Sequence, residues 1–145
     1  MKVNGAKRFL QQIEKLDTLI SNKLIEQSQW KSIALSVTAQ MGGERVQSSS
    51  NPQKMADAIN KCVDMGAEID LLIDELVIAK HEITSTIEQL SAAEYDVLHR
   101  VYIQHKTLDE VAAAKDRSKS WVTTVHGRAL QNVQRILDAK EEAAL

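Results

Sequence analysis

Thr107-Leu-Asp-Glu-Val-Ala-Ala-Ala-Lys-Asp-Arg-Ser-Lys-Ser-Trp-Val-Thr-Thr-Val125 decides the reading of the fold. It holds two helix starts. Thr107 is followed three residues later by Glu110, a capping box in which hydroxyl and carboxylate each take an amide that the first turn leaves open. Ser118 is placed to cap a second helix, whose apolar positions run through Val122, Val125, Ala129, Val133, Ile136 and Leu137. Only Lys115-Asp-Arg117 remains for the loop between them. A short helix, a tight turn and a longer helix make the helix-turn-helix pattern. Just upstream, Ser91-Ala-Ala-Glu94 is another capping box, with Leu90 and Tyr95 set to form a hydrophobic staple. The spacing predicts three helices over 91–104, 107–114 and 118–139.

The chain before Ser91 reads differently. Phe9, Ile13, Leu16, Ile20, Leu24, Ile33 and Val37 recur mostly at spacings of three and four, as on an amphipathic helix. No Gly or Pro interrupts Ala6 to Met41; at 1.5 Å per residue such a helix is roughly 50 Å long, which implies a coiled-coil partner. Gly42, Gly43 and Gln47-Ser-Ser-Ser-Asn-Pro52 break it, with Asn51 as N-cap and Pro52 at the first helical position. A second long helix follows, carrying Met55, Ile59, Cys62, Val63, Ile69, Leu72, Ile73, Leu76, Ile83, Ile87 and Leu90 on its stripe. Two long helices and a short loop predict an antiparallel hairpin. The expected architecture is all-α: a hairpin over 1–90 that oligomerises, a helix-turn-helix over 91–140, and a tail at 141–145. Each stripe is wider than one partner helix covers, so the hairpin is expected to form a homodimer.

Composition narrows the class. The 145 residues are 43% apolar but only 3% aromatic, with five Gly and one Pro, which opposes a β-sandwich and favours helices. One cysteine, Cys62, allows no internal disulfide and suits a reducing compartment. No apolar run approaches the roughly 18 residues of a membrane span, and the polar start carries no signal-peptide core. A cytoplasmic location and no membrane partner are expected. His99 and His105 lie six apart, with no Cys at ligand spacing, so no metal site is expected. Carboxylates such as Asp74 and Glu75 sit among ordinary salt-bridge partners on a helix, and no glycine loop precedes a Lys-Ser/Thr. No cofactor and no catalytic residue are expected.

Charge is uneven. Net charge is -2 over the chain, yet Lys115 to Arg135 holds five basic residues against one acidic. Positive charge at a turn and the following helix is where phosphates would be met. The start of that helix exposes Lys119, Ser120, Thr123 and Thr124, hydrogen-bonding groups of a size to reach base edges in a major groove. Gly127 costs about 1 kcal/mol against Ala in mid-helix; close approach of the backbone to DNA or to another helix would account for it. Trp121 is expected to pack on the supporting helix, with a wedge against the sugar-phosphate as the alternative.

Lys106-Thr-Leu-Asp-Glu-Val-Ala112, then Ser118-Lys119, Val122, Val125 and Arg128-Ala-Leu130, resemble region 4 of sigma-70 family factors over about fifty residues. The resemblance implies that Thr107 caps the supporting helix and meets the DNA backbone. It places Lys119, Ser120, Thr123 and Thr124 where such factors touch bases. It departs where the family is acidic and arginine-rich, at Ser120, Trp121 and Thr123, so promoter preference does not transfer. The whole chain, with Arg45-Val-Gln-Ser-Ser-Ser-Asn-Pro-Gln-Lys-Met55, Tyr102 and His126-Gly-Arg-Ala-Leu130, is similar to small phage and prophage regulators of Gram-positive bacteria of the ArpU type. That resemblance implies a DNA-binding transcriptional regulator acting on phage genes in the bacterial host cytoplasm.

The expected base contacts are therefore Lys119, Ser120, Thr123 and Thr124, and the expected backbone contacts Lys106, Thr107, Arg117 and Arg128. Double-stranded DNA and a second copy are the expected partners, with RNA polymerase a candidate through the hairpin. Two alternatives stay open: a small-terminase-like packaging protein, which would form a ring, and a sigma-like protein that binds RNA polymerase or another regulator without DNA.

Overall fold

The structure, a computed structural model, describes the backbone of residues 4–43 and 50–145 and the side-chain surroundings of 5–36 and 52–145. Among the described residues all regular structure is helical and none is strand. The elements are α1 (Asn4–Leu10), α2 (Gln12–Gly43), α3 (Ser50–Ile87), α4 (Ala92–Leu98), a π-helical turn (His99–Ile103), α5 (Leu108–Lys115) and α6 (Lys119–Ala144).

Several boundaries differ from the sequence expectation. The single helix predicted through Ala6 to Met41 is divided at Gln11, although Gln11 N–H still reaches the Lys7 carbonyl at 2.9 Å. Helix α3 begins at Ser50, so Asn51 lies inside it rather than capping it. The centre of the predicted bend, residues 44–49, lies outside the described residues. The helix predicted over 91–104 passes after Leu98 into the π-helical turn, where Gln104 N–H bonds the His99 carbonyl at 3.0 Å. Gln104 Nε2 and His99 Nδ1 meet at 2.9 Å across that turn. Apolar spacing cannot separate i→i−4 from i→i−5 bonding over one turn, which is why the sequence did not show it. His105 then leaves in the left-handed region at φ 60°.

The chain forms two compact units, one of residues up to Lys15 with Leu76–Leu145, the other Leu16–Glu75. The first has two adjoining cores. Ala6, Leu10, Ile13, Ile83, Ile87, Leu98, Tyr102, Ala129, Leu130 and Val133 form the larger. Val97, Val111, Ala112, Val122 and Val125 form the smaller, covered by Leu108 and Trp121. A boundary at residue 90 would cut the larger core, because α1, the start of α2 and the end of α3 supply half of it. The sequence break at Leu90-Ser91 marks a helix start, not the edge of a unit. Helix α1 is tied to α6 by Gln134, whose Oε1 accepts from the Ala6 amide at 2.8 Å.

The second unit pairs parts of α2 and α3 antiparallel: Lys23 meets Glu68 at 2.8 Å and Gln27 meets the Cys62 carbonyl at 2.9 Å. Leu16, Ile20, Lys23, Gln27, Trp30 and Ala34 face Met55, Ala58, Cys62, Met65, Ile69 and Leu72 from buried or half-buried positions. Both sets step three and four residues alternately, the heptad of a coiled-coil seam. Polar Lys23 and Gln27 and small Ala34, Ala58 and Cys62 make this seam thin.

Candidate nucleic-acid interface

Helix α5 starts where the capping pattern places it. Thr107 Oγ1 accepts from the Glu110 amide at 3.1 Å, and the Glu110 carboxylate accepts from the Thr107 amide at 3.0 Å. Those bonds hold the Glu110 carboxyl below its usual range. The helix ends without glycine. Asp116 takes the left-handed conformation at φ 52°, Arg117 N–H bonds the Ala112 carbonyl at 3.0 Å, and Asp116 N–H the Ala113 carbonyl at 3.3 Å. This is the Schellman arrangement, with Asp in the role more often taken by Gly. Ser118 Oγ then accepts from the Trp121 amide at 3.0 Å and opens α6.

Behind that turn, Val111 and Ala112 pack against Val122 and Val125, which sets the other side of α6 outward. Ser120, Thr123, Thr124 and Gly127 are exposed there, one above the other at helical spacing. Lys119 beside them is also exposed, its Nζ 3.3 Å from Asp109 of α5. A Cβ placed on Gly127 would meet nothing within 4 Å. Among the described residues, therefore, no other helix comes close to this glycine. Trp121 packs on the smaller core, and the Arg117 guanidinium sits 4.9 Å from its ring centre, a cation–π contact.

The expected backbone contacts have varied surroundings. Thr107, Lys106 and Arg117 are exposed. Arg128 instead directs its Nε to Glu94 Oε2 at 3.1 Å. Glu94 is buried, and it also accepts from Asn132 at 2.9 Å and the Ser91 amide at 3.4 Å. Burial alone would raise the Glu94 carboxyl; the bonds from Ser91, Arg128 and Asn132 outweigh it and hold the group below its usual range. Nearby, Asp96 accepts from Lys115 and, at 3.0 Å, from Arg100. Desolvation of Asp96 is likewise outweighed by these two cations, and its carboxyl is lowered. These carboxylates answer cations that the charge count had treated as available. The capping pattern revealed Glu94 as an N3 residue, but not its second role on α6, which depends on a contact across 34 positions.

His126 is not an idle surface group. Its Nε2 lies 2.8 Å from the Tyr102 hydroxyl, and the rings stack with centroids 5.7 Å apart. Burial, then the Lys7 charge, lowers the imidazole, while burial pushes the Tyr102 hydroxyl up to about 12. A neutral imidazole accepting from a neutral phenol satisfies both. Among the described residues no group of three His, Cys, Asp or Glu could hold a metal ion, and no helix is long and apolar enough to cross a membrane.

No family model, characterised protein or solved structure matches this chain.

Proposed function

We propose that α5, the Asp116–Arg117 turn and α6 form a helix-turn-helix that binds double-stranded DNA in transcription control, in a phage or prophage regulator as the quoted resemblance implies. The observation that carries this reading is the outward side of α6. Ser120, Thr123, Thr124 and Gly127 share one exposed arc next to the helix start, and among the described residues a Cβ added at Gly127 would meet nothing within 4 Å. A recognition helix needs short polar groups and open backbone there, with its positive N-terminal end toward phosphate. Lys119 serves both purposes, since an exposed ion pair with Asp109 is weak enough to exchange for a DNA contact. Thr107, Lys106 and Arg117 lie at the approach to the backbone. Arg128 acts mainly by anchoring α6 through Glu94.

A reading in which the same unit binds RNA polymerase or another regulator is favoured by one feature. Trp121, Arg117, Lys115 and Arg100 line an open cleft of about 570 Å³ on the side of the turn, suited to a protein side chain. Selection of bound duplexes from a random pool separates the two. On the DNA reading a preferred sequence emerges, and Thr124→Ala relaxes one position at a cost of about 1–3 kcal/mol. Failure to enrich any duplex, with Thr124→Ala silent, favours the protein partner.

A further inference from the structure

The Leu16–Glu75 unit has two unlike sides. On one, the seam is flanked by Glu26, Asp57, Asp64, Glu68 and Glu75, with Lys23 and Lys61 answering part of that charge and Leu19, Ile33 and Leu71 exposed among them. The other carries few charges and more apolar residues. There α3 carries a second heptad stripe beside its seam, at Ile59, Val63, Gly66, Asp70 and Ile73, again in steps of four and three. Leu24, Ser28, Lys31 and Leu35 continue this side on α2. Between them lies a groove of about 480 Å³ floored by Gln27 and Cys62, with Gly66 and Ser28 leaving it open.

Leu24, Leu35, Ile59, Val63 and Ile73 are 48, 66, 45, 66 and 41% exposed. At roughly 150–200 Å² per full residue this sums to on the order of 450 Å², within the range of about 300–600 Å² that the largest, often functional, apolar patch of a monomer reaches.

We infer that this side is covered by a second copy of the chain, the two helix pairs packing as a four-helix bundle around a two-fold axis. Three features select that occupant. A helix with two adjacent heptad stripes is one that contacts two helices, and the described residues of the unit supply one. Projecting Leu24, Leu35 and Val63 share the side with the opening at Gly66 and Ser28, so knobs and hole lie on one surface, as an isologous contact requires. Finally, Lys31 and Asp70 give it one charge of each sign, whereas the opposite side sets five carboxylates against two lysines and would carry that excess into a self-contact. The inference is carried by this unit alone and stands whether or not the chain binds DNA.

Sedimentation of the full chain tests it. The wild type is expected to run as a dimer at low micromolar concentration. Leu24→Glu combined with Val63→Glu is expected to weaken the dimer about 100-fold or more, with helix content retained because both positions are exposed in the single chain. Ile59→Glu with Ile73→Glu must do the same, and it replaces the first pair should that one lose helix content. Leu71→Glu, on the acidic side, is expected to leave the dimer intact. A monomer at tens of micromolar, a ring larger than two, or a Leu71→Glu effect as large as that of the paired variants would overturn the inference.

Discussion

The two units are built from similar helices but hold together differently. In the unit that contains α4 to α6, Leu10, Ile83, Ile87, Leu98, Val122 and Val133 are fully buried, and three helix starts are capped. In the Leu16–Glu75 unit, Ala58, Met65, Ile69 and Ile20 are the most buried apolar residues, while Leu35, Val63 and Leu71 stand about two-thirds exposed. The first unit encloses fully buried cores and exposes Val77 and Ile78 outside them; the second has a thin seam and displays apolar surface beyond it. Apolar residues recur at helical spacing in both, so periodicity alone does not say where a self-sufficient core lies.

The sharpest way to break this comparison is to cut the chain at residue 90. A 91–140 fragment loses Leu10, Ile13, Ile83 and Ile87 from the larger core. At about 1.5–3 kcal/mol for each buried side chain, that loss rivals the whole stability of a domain. The fragment is expected to show no cooperative melt by circular dichroism, and a cooperative one would return the boundary to Ser91. Next in size, Leu98→Ala in the closed core should cost about 3 kcal/mol, against less than about 0.5 kcal/mol for Leu71→Ala. Equal shifts in denaturant midpoint would erase the distinction between the units.

The polar contacts come next. Glu94→Ala removes the carboxylate that holds Ser91, Arg128 and Asn132, and should cost about 2 kcal/mol. Arg128→Ala should cost about 1 kcal/mol, since its partner stays buried while the arginine itself is over half exposed. An Arg128→Ala variant of unchanged stability but weaker DNA binding would restore it to the phosphate contacts. Acid should act through the same unit. His126 is lowered from 6.5, so the unfolded chain takes that proton first and stability starts to fall as pH drops below 6.5. The Glu94 and Asp96 carboxyls are lowered from 4.5 and 3.8, so their contribution, complete above those values, is lost as pH falls further. His126→Phe should flatten the first part of a stability-against-pH curve and leave the second. Smallest, Asp116→Gly at φ 52° should stabilise by about 0.5–1 kcal/mol, checked by thermal melting.

Much of this was legible in the sequence. The capping boxes at Ser91 and Thr107 and the cap at Ser118 are local hydrogen-bond patterns, and each is made where its residues stand. The inward positions Val122, Val125 and Ala129 followed from helical spacing. What could not be read was long-range: Gln134 holding α1, Glu94 reaching Arg128 and Asn132, and Tyr102 meeting His126 each join residues that no local pattern links. The positive stretch from Lys115 to Arg135 suffered most from this, because its answering carboxylates Glu94, Asp96 and Asp109 lie earlier in the chain.

Gly127 offers the most direct test of the account. It lies in α6 with open space around it, so Gly127→Ala should stabilise the protein by about 0.5–1 kcal/mol through helix propensity. If α6 lies in a major groove, the added methyl enters the space the DNA backbone or bases need. Melting temperature and affinity for a selected duplex, measured on the same preparation, should therefore move in opposite directions, stability up and DNA binding down. A variant that is more stable and binds the duplex as well as the wild type would contradict the assignment of α6 as the recognition helix.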